Sequence, residues 1–326
     1  MNYKACRISS CEPHKIIIHP NELKRKVYIE TTSECNNNCR HCFNRSGDSS
    51  TRIPFPELVA MEELFTRSNN IIQVILSGGE FFTRPDYLEI VKLFSHKHDV
   101  QILTNGKILP KAMIDYLILH KNAELQITLA GDCSKIDVLL RGECFEDTIN
   151  NIKTLCSAEC QDSFTVSTTL CKPNINRVKE IIELCISLGV KQLRFSFIYK
   201  MGRAIENWDD LFISTYEKIL AVKLIKEFSA KYAAEIKILS SGMHQFGLMI
   251  GTNDRVYSCQ ELSEEISISP QLTTVFCPAY EMYCDCKDIE KPSYKAMFQA
   301  AYCIPNLKDS SCETCAVKGR CLVSCL

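Results

Sequence analysis

The chain has 326 residues, 46% of them apolar, enough to bury one large domain and a smaller one. Its formal charge is −1 and it has no long basic block, which excludes phosphate-driven nucleic-acid binding as an obligatory function. No apolar run approaches the roughly 20 residues of a membrane helix, and Met1 to Pro20 lacks the apolar region of a signal peptide, Ile16-Ile17-Ile18 being too short, so a cytoplasmic protein with no membrane partner is expected.

In chain order, Lys24-Arg25-Lys26 reads as a solvated turn, and strand-like and helix-like segments then alternate, the pattern of a parallel α/β sheet. Strands are expected at Val27–Thr31, Ile71–Ser77, Val100–Thr104, Glu124–Leu129, Phe164–Leu170 and Gln192–Ile198. Helical patterns fall near Pro56–Thr66, Asp86–His96, Pro110–His120, Phe145–Ser157 and Asn176–Leu188, with a longer one at about Leu211–Tyr232. In the fifth, Val178, Ile181, Ile182, Cys185 and Leu188 form one apolar face and Gly189 is a natural stop. Six βα units predict an α/β fold, a partial (β/α)6 TIM-type barrel, whose chemistry belongs at the carboxyl ends of its strands. The barrel is assigned to residues 26–234, after an extension at 1–25 and before a small cysteine-rich region at 235–326.

Twenty cysteines without a secretory signal do not make a disulfide framework, because the cytosol keeps thiols reduced; metal is the alternative. Cys35, Cys39 and Cys42 stand at C-x3-C-x2-C spacing just past the first strand. Three thiolates can hold three corners of a [4Fe–4S] cluster and leave one iron open to a small chelating ligand. A zinc knuckle with His41 as fourth ligand is the alternative.

The other strand ends carry unusual residues too. Ser77-Gly78-Gly79-Glu80 follows the second: paired glycines let backbone come close to a ligand, and Glu80 could accept hydrogen bonds from an ammonium group. Thr104-Asn105-Gly106 ends the third strand and Thr128-Leu129-Ala130-Gly131 the fourth, each also readable as a plain turn. Arg141, in Asp137-Val138-Leu139-Leu140-Arg141-Gly142, offers a planar fork suited to a carboxylate, or else forms a surface ion pair. Ser167-Thr168-Thr169 ends the fifth strand, and Gly202-Arg203 follows the sixth.

This series resembles the radical S-adenosylmethionine (SAM) superfamily, whose signature is C-x3-C-x2-C after the first barrel strand. The resemblance implies that Cys35, Cys39 and Cys42 hold a [4Fe–4S] cluster whose open iron chelates SAM. It also implies reductive cleavage of SAM to methionine and a 5′-deoxyadenosyl radical, fed by an external electron donor such as flavodoxin or ferredoxin. Ser77, Gly78, Gly79 and Glu80 would bind the SAM amino group, Arg141 its carboxylate, and Asn105, Thr128 and Ser167 other parts of it. Relatives often read Ser-Leu-Asp-Gly where this chain has Ala130, so that carboxylate is absent or moved to Asp132.

Cys312-Glu313-Thr314-Cys315, Cys321 and Cys325 give C-x2-C-x5-C-x3-C, which resembles the SPASM extension and implies one or two auxiliary [4Fe–4S] clusters. An all-cysteine zinc site is the alternative. Val256-Tyr257-Ser258-Cys259 resembles a further SPASM cysteine, but Ser240-Ser241-Gly242 stands where its partner belongs, and the pattern's last cysteine would fall past Leu326. Cys277, Cys284, Cys286 and Cys303 are available substitutes. SPASM relatives mostly modify peptides and proteins, which implies a peptide substrate, a ribosomally made peptide above all. A protein side chain or a small molecule such as a carbohydrate is the alternative. About 25 residues before the first strand are too few for a peptide-binding domain, so a leader would be held by a separate protein, by the barrel or not at all. If the outcome is epimerisation, Cys171 and Cys133, near the ends of the fifth and fourth strands, are candidate hydrogen donors; alternatively both simply pack.

Overall fold

The computed structural model describes residues 25–68, 71–241, 265–268, 270 and 274–275. Seven parallel strands follow one another in space in sequence order: β1 (Arg25–Glu30), β2 (Ile71–Ser77), β3 (Asp99–Thr104), β4 (Ala123–Thr128), β5 (Phe164–Leu170), β6 (Gln192–Phe197) and β7 (Lys237–Ser241). Each crossover carries at least one helix, because parallel neighbours cannot be joined by a tight turn. The helices are α1 (Phe55–Ser68), α2 (Tyr87–Ser95), α3 (Lys111–Leu119), α4 (Ser134–Arg141), α5 (Phe145–Ser157), α6 (Val178–Ser187), α7 (Trp208–Leu211) and α8 (Thr215–Lys231). The outer edge of β1 is paired in parallel by β8 (Glu265–Ile268), which in turn pairs antiparallel with β9 (Thr274–Val275).

The six expected strands are present within one or two residues of their expected limits. The structure differs at four places, the first being the long helix expected at about Leu211–Tyr232, which is two helices, α7 and α8, parted by residues 212–214. Arg25 and Lys26 are the first residues of β1, not a turn. α4 is an additional helix, and it carries Arg141. β7 lies beyond residue 234 and yet hydrogen-bonds to β6, from Gln192↔Lys237 to Ser196↔Ser241, so the sheet continues past the expected boundary.

The core forms where the apolar faces of the helices meet the sheet. In β2 the run Ile-Ile-Gln-Val-Ile-Leu-Ser buries Val74 and Leu76 completely, as a strand covered on both faces must. Phe65 of α1 and Phe94 of α2 stack with ring centroids 6.0 Å apart. On α6, Val178, Ile181, Ile182 and Cys185 are all fully buried, each apolar one contributing about 1.5–3 kcal/mol by leaving water. The chain then turns away at Gly189, whose φ of +82° suits only glycine without strain. α8 starts with a capping box, in which Ser214 Oγ accepts from the Glu217 N–H and Glu217 accepts from the Ser214 N–H.

Candidate functional site

The loop between β1 and α1 is held at its neck by its own backbone. Thr32 and Arg52 form an antiparallel bridge, and the Ile53 N–H donates to the Thr31 carbonyl at 2.9 Å. Arg84, buried just past β2, donates from Nη1 to the carbonyls of Thr31 and Ile53, both at 2.8 Å, and pairs with Asp86. No local signal in Arg84-Pro85-Asp86 marks this brace in the sequence.

Gly78 and Gly79 press against the same loop. A Cβ on Gly78 would lie 2.2 Å from the Thr32 carbonyl oxygen, and one on Gly79 2.0 Å from that of Glu34. The Gly79 N–H donates to the Thr32 carbonyl and the Glu80 N–H to that of Glu34, each at 2.8 Å. The glycines therefore admit the backbone of the cysteine loop. Ser77 Oγ is bonded to the Tyr28 hydroxyl at 2.6 Å.

The Glu80 carboxylate is buried and accepts from the Phe82 N–H (3.1 Å), Thr104 Oγ1 (2.8 Å) and the Asn105 N–H (2.7 Å). Three of roughly four acceptor positions on a carboxylate are thus filled from within the protein. Burial pushes its acidity weaker than usual, opposed by these donors and by Arg141. Asn105 donates from Nδ2 to Asn36 in the cysteine loop at 2.6 Å, while its own Oδ1 accepts from the Lys107 N–H.

Arg141 is completely buried. It donates to the carbonyls of Thr128 and Asn105, at the ends of β4 and β3, and pairs with Asp137 one turn back on α4 at 3.2 Å. Its Nε is buried without a hydrogen-bond partner, as is Nδ1 of His41. The two are electrostatic neighbours: burial and then the Arg141 charge pull the His41 imidazole down to about 4. Asp132 is held by Arg177, which keeps its carboxyl below the usual range. At the end of β4 the Asp137 carboxylate accepts from the Ala130 N–H at 2.8 Å.

The three loop thiols lie within one another's electrostatic reach. Burial pushes Cys39 up to about 12 against the pull of Arg141, and raises Cys35 against a hydrogen bond from the Asn37 N–H. That N–H stands 3.4 Å from the Cys35 sulfur, and the Ser46 N–H stands 3.3 Å from the Cys42 sulfur. A buried thiol becomes a thiolate when metal supplies the compensating charge, and backbone N–H donors to sulfur are part of cluster sites. Nδ1 of His41 lies buried and unpartnered beside these thiols. The donor set and the two unpartnered nitrogens beside it fit a [4Fe–4S] cluster with a small polar ligand.

Thr128 is half-buried and Ser167 buried at the adjacent strand ends. Cys171 is fully buried in the apolar core, its thiol pushed up to about 12 by burial, and Cys133 is half-buried before α4. Cys144, which the spacing did not single out, is buried next to Cys39, Asp137 and Arg141. Cys259, Cys277, Cys312, Cys315, Cys321 and Cys325 lie outside the described residues.

Residues 29–185 match the radical SAM superfamily. The chain is 30% identical to the AdoMet-dependent heme synthase of Methanosarcina barkeri over 60% of this chain and 56% of that protein. It is 25% identical to the sporulation killing factor maturation protein SkfB of Bacillus subtilis over 65% of this chain and 51% of that one. The chain therefore spans about half the length of these curated relatives. Its fold is shared with Streptococcus suis SuiB, solved bound to its precursor peptide SuiA, at a TM-score of 0.73 and 14% identity, covering 92% of this chain and 71% of SuiB. Residues 29–185, which contain the cysteine loop, the glycine strip and the strand ends they face, are a radical SAM domain, whose cofactors are a [4Fe–4S] cluster and SAM.

Proposed function

We propose that the chain modifies a peptide, most specifically a ribosomally made one, by crosslinking, epimerising or dehydrogenating it. The observation that carries the chemistry is the convergence of Cys35, Cys39 and Cys42 with Glu80 and the unpartnered Nε of Arg141 at the ends of four adjacent strands. Bound there, the cluster and SAM supply reductive cleavage of SAM and a radical that takes a hydrogen atom from the substrate. The chain's own residues do the holding. The three thiolates would ligate the cluster, Glu80 would offer its remaining acceptor position to the SAM ammonium, and Arg141 Nε would donate to the SAM carboxylate. Asn105, Thr128 and Ser167 line the adjoining strand ends.

The peptide reading is supported by relatives that mature peptides, SkfB and the mycofactocin maturase MftC, and by the fold shared with SuiB. A small-molecule substrate is the second reading, favoured by the heme synthase relative. Cys312, Cys315, Cys321 and Cys325, with Cys259 and Cys277, are proposed to hold auxiliary clusters, and flavodoxin or ferredoxin to supply the electron. A leader, where the substrate has one, is held by a separate protein or by the barrel itself.

Replacing Cys35, Cys39 and Cys42 together by alanine abolishes 5′-deoxyadenosine formation under anaerobic, reducing conditions and leaves iron bound elsewhere. Continued SAM cleavage by the triple variant refutes the assignment. Iron counting then separates one cluster from more, about four irons against about eight or twelve. Solvent deuterium at a substrate α-carbon, lost in Cys171→Ala or Cys133→Ala, identifies epimerisation.

A further inference from the structure

The turn after β6 holds the cysteine loop from a place 164 residues away in the chain. Arg203, buried, donates from Nη1 to the Cys39 carbonyl at 3.0 Å and from Nη2 to the Ser46 carbonyl at 2.9 Å. Nη2 also reaches Asp48 at 2.8 Å, and the Arg203 backbone N–H donates to the Cys42 carbonyl at 2.8 Å. Asn207 adds two bonds to the same stretch: its Nδ2 donates to the Arg40 carbonyl at 3.3 Å, and its Oδ1 accepts from Arg40 Nε at 3.0 Å. Gly202, at φ +54°, makes the approach feasible, because a Cβ there would lie 2.2 Å from the Phe43 carbonyl oxygen. Four carbonyls between Cys39 and Ser46 are therefore fixed by one short turn.

That stretch contains two of the three thiols, and the Ser46 N–H at its end donates to the Cys42 sulfur. A planar guanidinium holding both Cys39 and Ser46 fixes where the two sulfurs and this N–H point, a task that a lysine's point charge cannot perform. Groups that orient ligands and donate to cluster sulfurs set affinity and reduction potential.

We propose that Gly202, Arg203 and Asn207 are positioning residues for the cluster, fixing the Cys39–Ser46 turn so that Cys39, Cys42 and the Ser46 N–H meet it in one geometry. The proposal rests on Cys35, Cys39 and Cys42 being the ligands. None of the three residues touches SAM or substrate in this role. Losing Arg203 loosens the Ser46 N–H on sulfur and removes a positive charge near the cluster, and both changes disfavour the reduced, more negative state.

The test uses anaerobically reconstituted full-length protein, and follows the reduced-cluster paramagnetic resonance signal that shifts when SAM is added. In Arg203→Gln, iron in that cluster is lost to excess chelator about tenfold faster or more, in line with other ligand-orienting groups, and its reduction potential falls. Arg203→Lys keeps the charge and recovers part of the potential but not the retention. Gly202→Ala shows fast iron loss with no change of charge. Should Arg203→Gln fail to fold, Asn207→Ala, which leaves the guanidinium in place, still accelerates iron loss. Iron loss within about twofold of wild type and an unchanged potential in these variants overturn the proposal, even where melting temperature falls. If the Cys35, Cys39, Cys42 triple variant retains the SAM-shifted signal, the ligand assignment fails, and the proposal with it.

Discussion

One methyl group at Gly79 tests whether the glycine strip is built to admit the cysteine loop. A Cβ there would lie 2.0 Å from the Glu34 carbonyl oxygen, against an ordinary contact of at least 3.4 Å, so the two backbones must part by about 1.4 Å. The bonds from the Gly79 N–H to Thr32 and the Glu80 N–H to Glu34, now 2.8 Å, do not survive that separation. At about 1 kcal/mol each they cost about 2 kcal/mol, and more if the groups stay dry. Gly79 is not in the left-handed region, so alanine returns about 0.4–1 kcal/mol by restricting the unfolded chain. Gly79→Ala is thus destabilised by about 1–2 kcal/mol. The displaced residue, Glu34, adjoins Cys35, so iron is lost from the SAM-binding cluster as well. Gly189→Ala is the control: its φ of +82° costs a similar amount, but the new Cβ meets only Cys156, away from the loop. Anaerobic urea titrations should give the two variants comparable losses, whereas chelator challenge should strip only Gly79→Ala. Equal iron retention in both, or a Gly79→Ala protein more stable than wild type, refutes the reasoning.

Arg84→Ala strands the Ile53 carbonyl in a buried place and leaves the Thr31 carbonyl only the Ile53 N–H, for a loss of about 1–3 kcal/mol by denaturant titration; Arg84→Lys should recover less than half of it, because it lacks the fork. Cys171 and Cys185, both pushed up to about 12 by burial, stay protonated and covered, so an alkylating reagent at mildly alkaline pH should label half-buried Cys133 before either of them in the native protein, as read by mass spectrometry. Glu217 is held down to about 2, first by Lys172 and then by Ser214, against 4.5 for the free side chain. A depressed folded value means stability present above pH 4.5 and lost as pH falls toward 2, so the gap between wild type and Glu217→Gln should close over that range; a gap that does not change with acidification contradicts this.

The sheet was legible because its strands carry apolar and β-branched runs between turn residues, and β2 spans Ile71–Ser77 in the structure as in the sequence. The cysteine loop was legible because its three ligands are local. What spacing could not show is contact across the chain, such as Arg84 on the loop neck, which depends on the path of β2. α4 was missed for a different reason. Its sequence, Ser-Lys-Ile-Asp-Val-Leu-Leu-Arg, leaves Val138 and Leu139 37% and 46% exposed while Asp137 and Arg141 are fully buried. Apolar periodicity assumes that the apolar residues share the inward face, and on this helix it is broken, because beside buried Leu140 the inward face holds an ion pair one turn apart. A buried guanidinium and carboxylate persist only where other groups complete their hydrogen bonds. Here the Thr128 and Asn105 carbonyls and the Ala130 N–H do so for all but the Arg141 Nε. The polar residues on the inner side of α4 thus have a local cause: that side of the helix meets the backbone at the ends of β3 and β4.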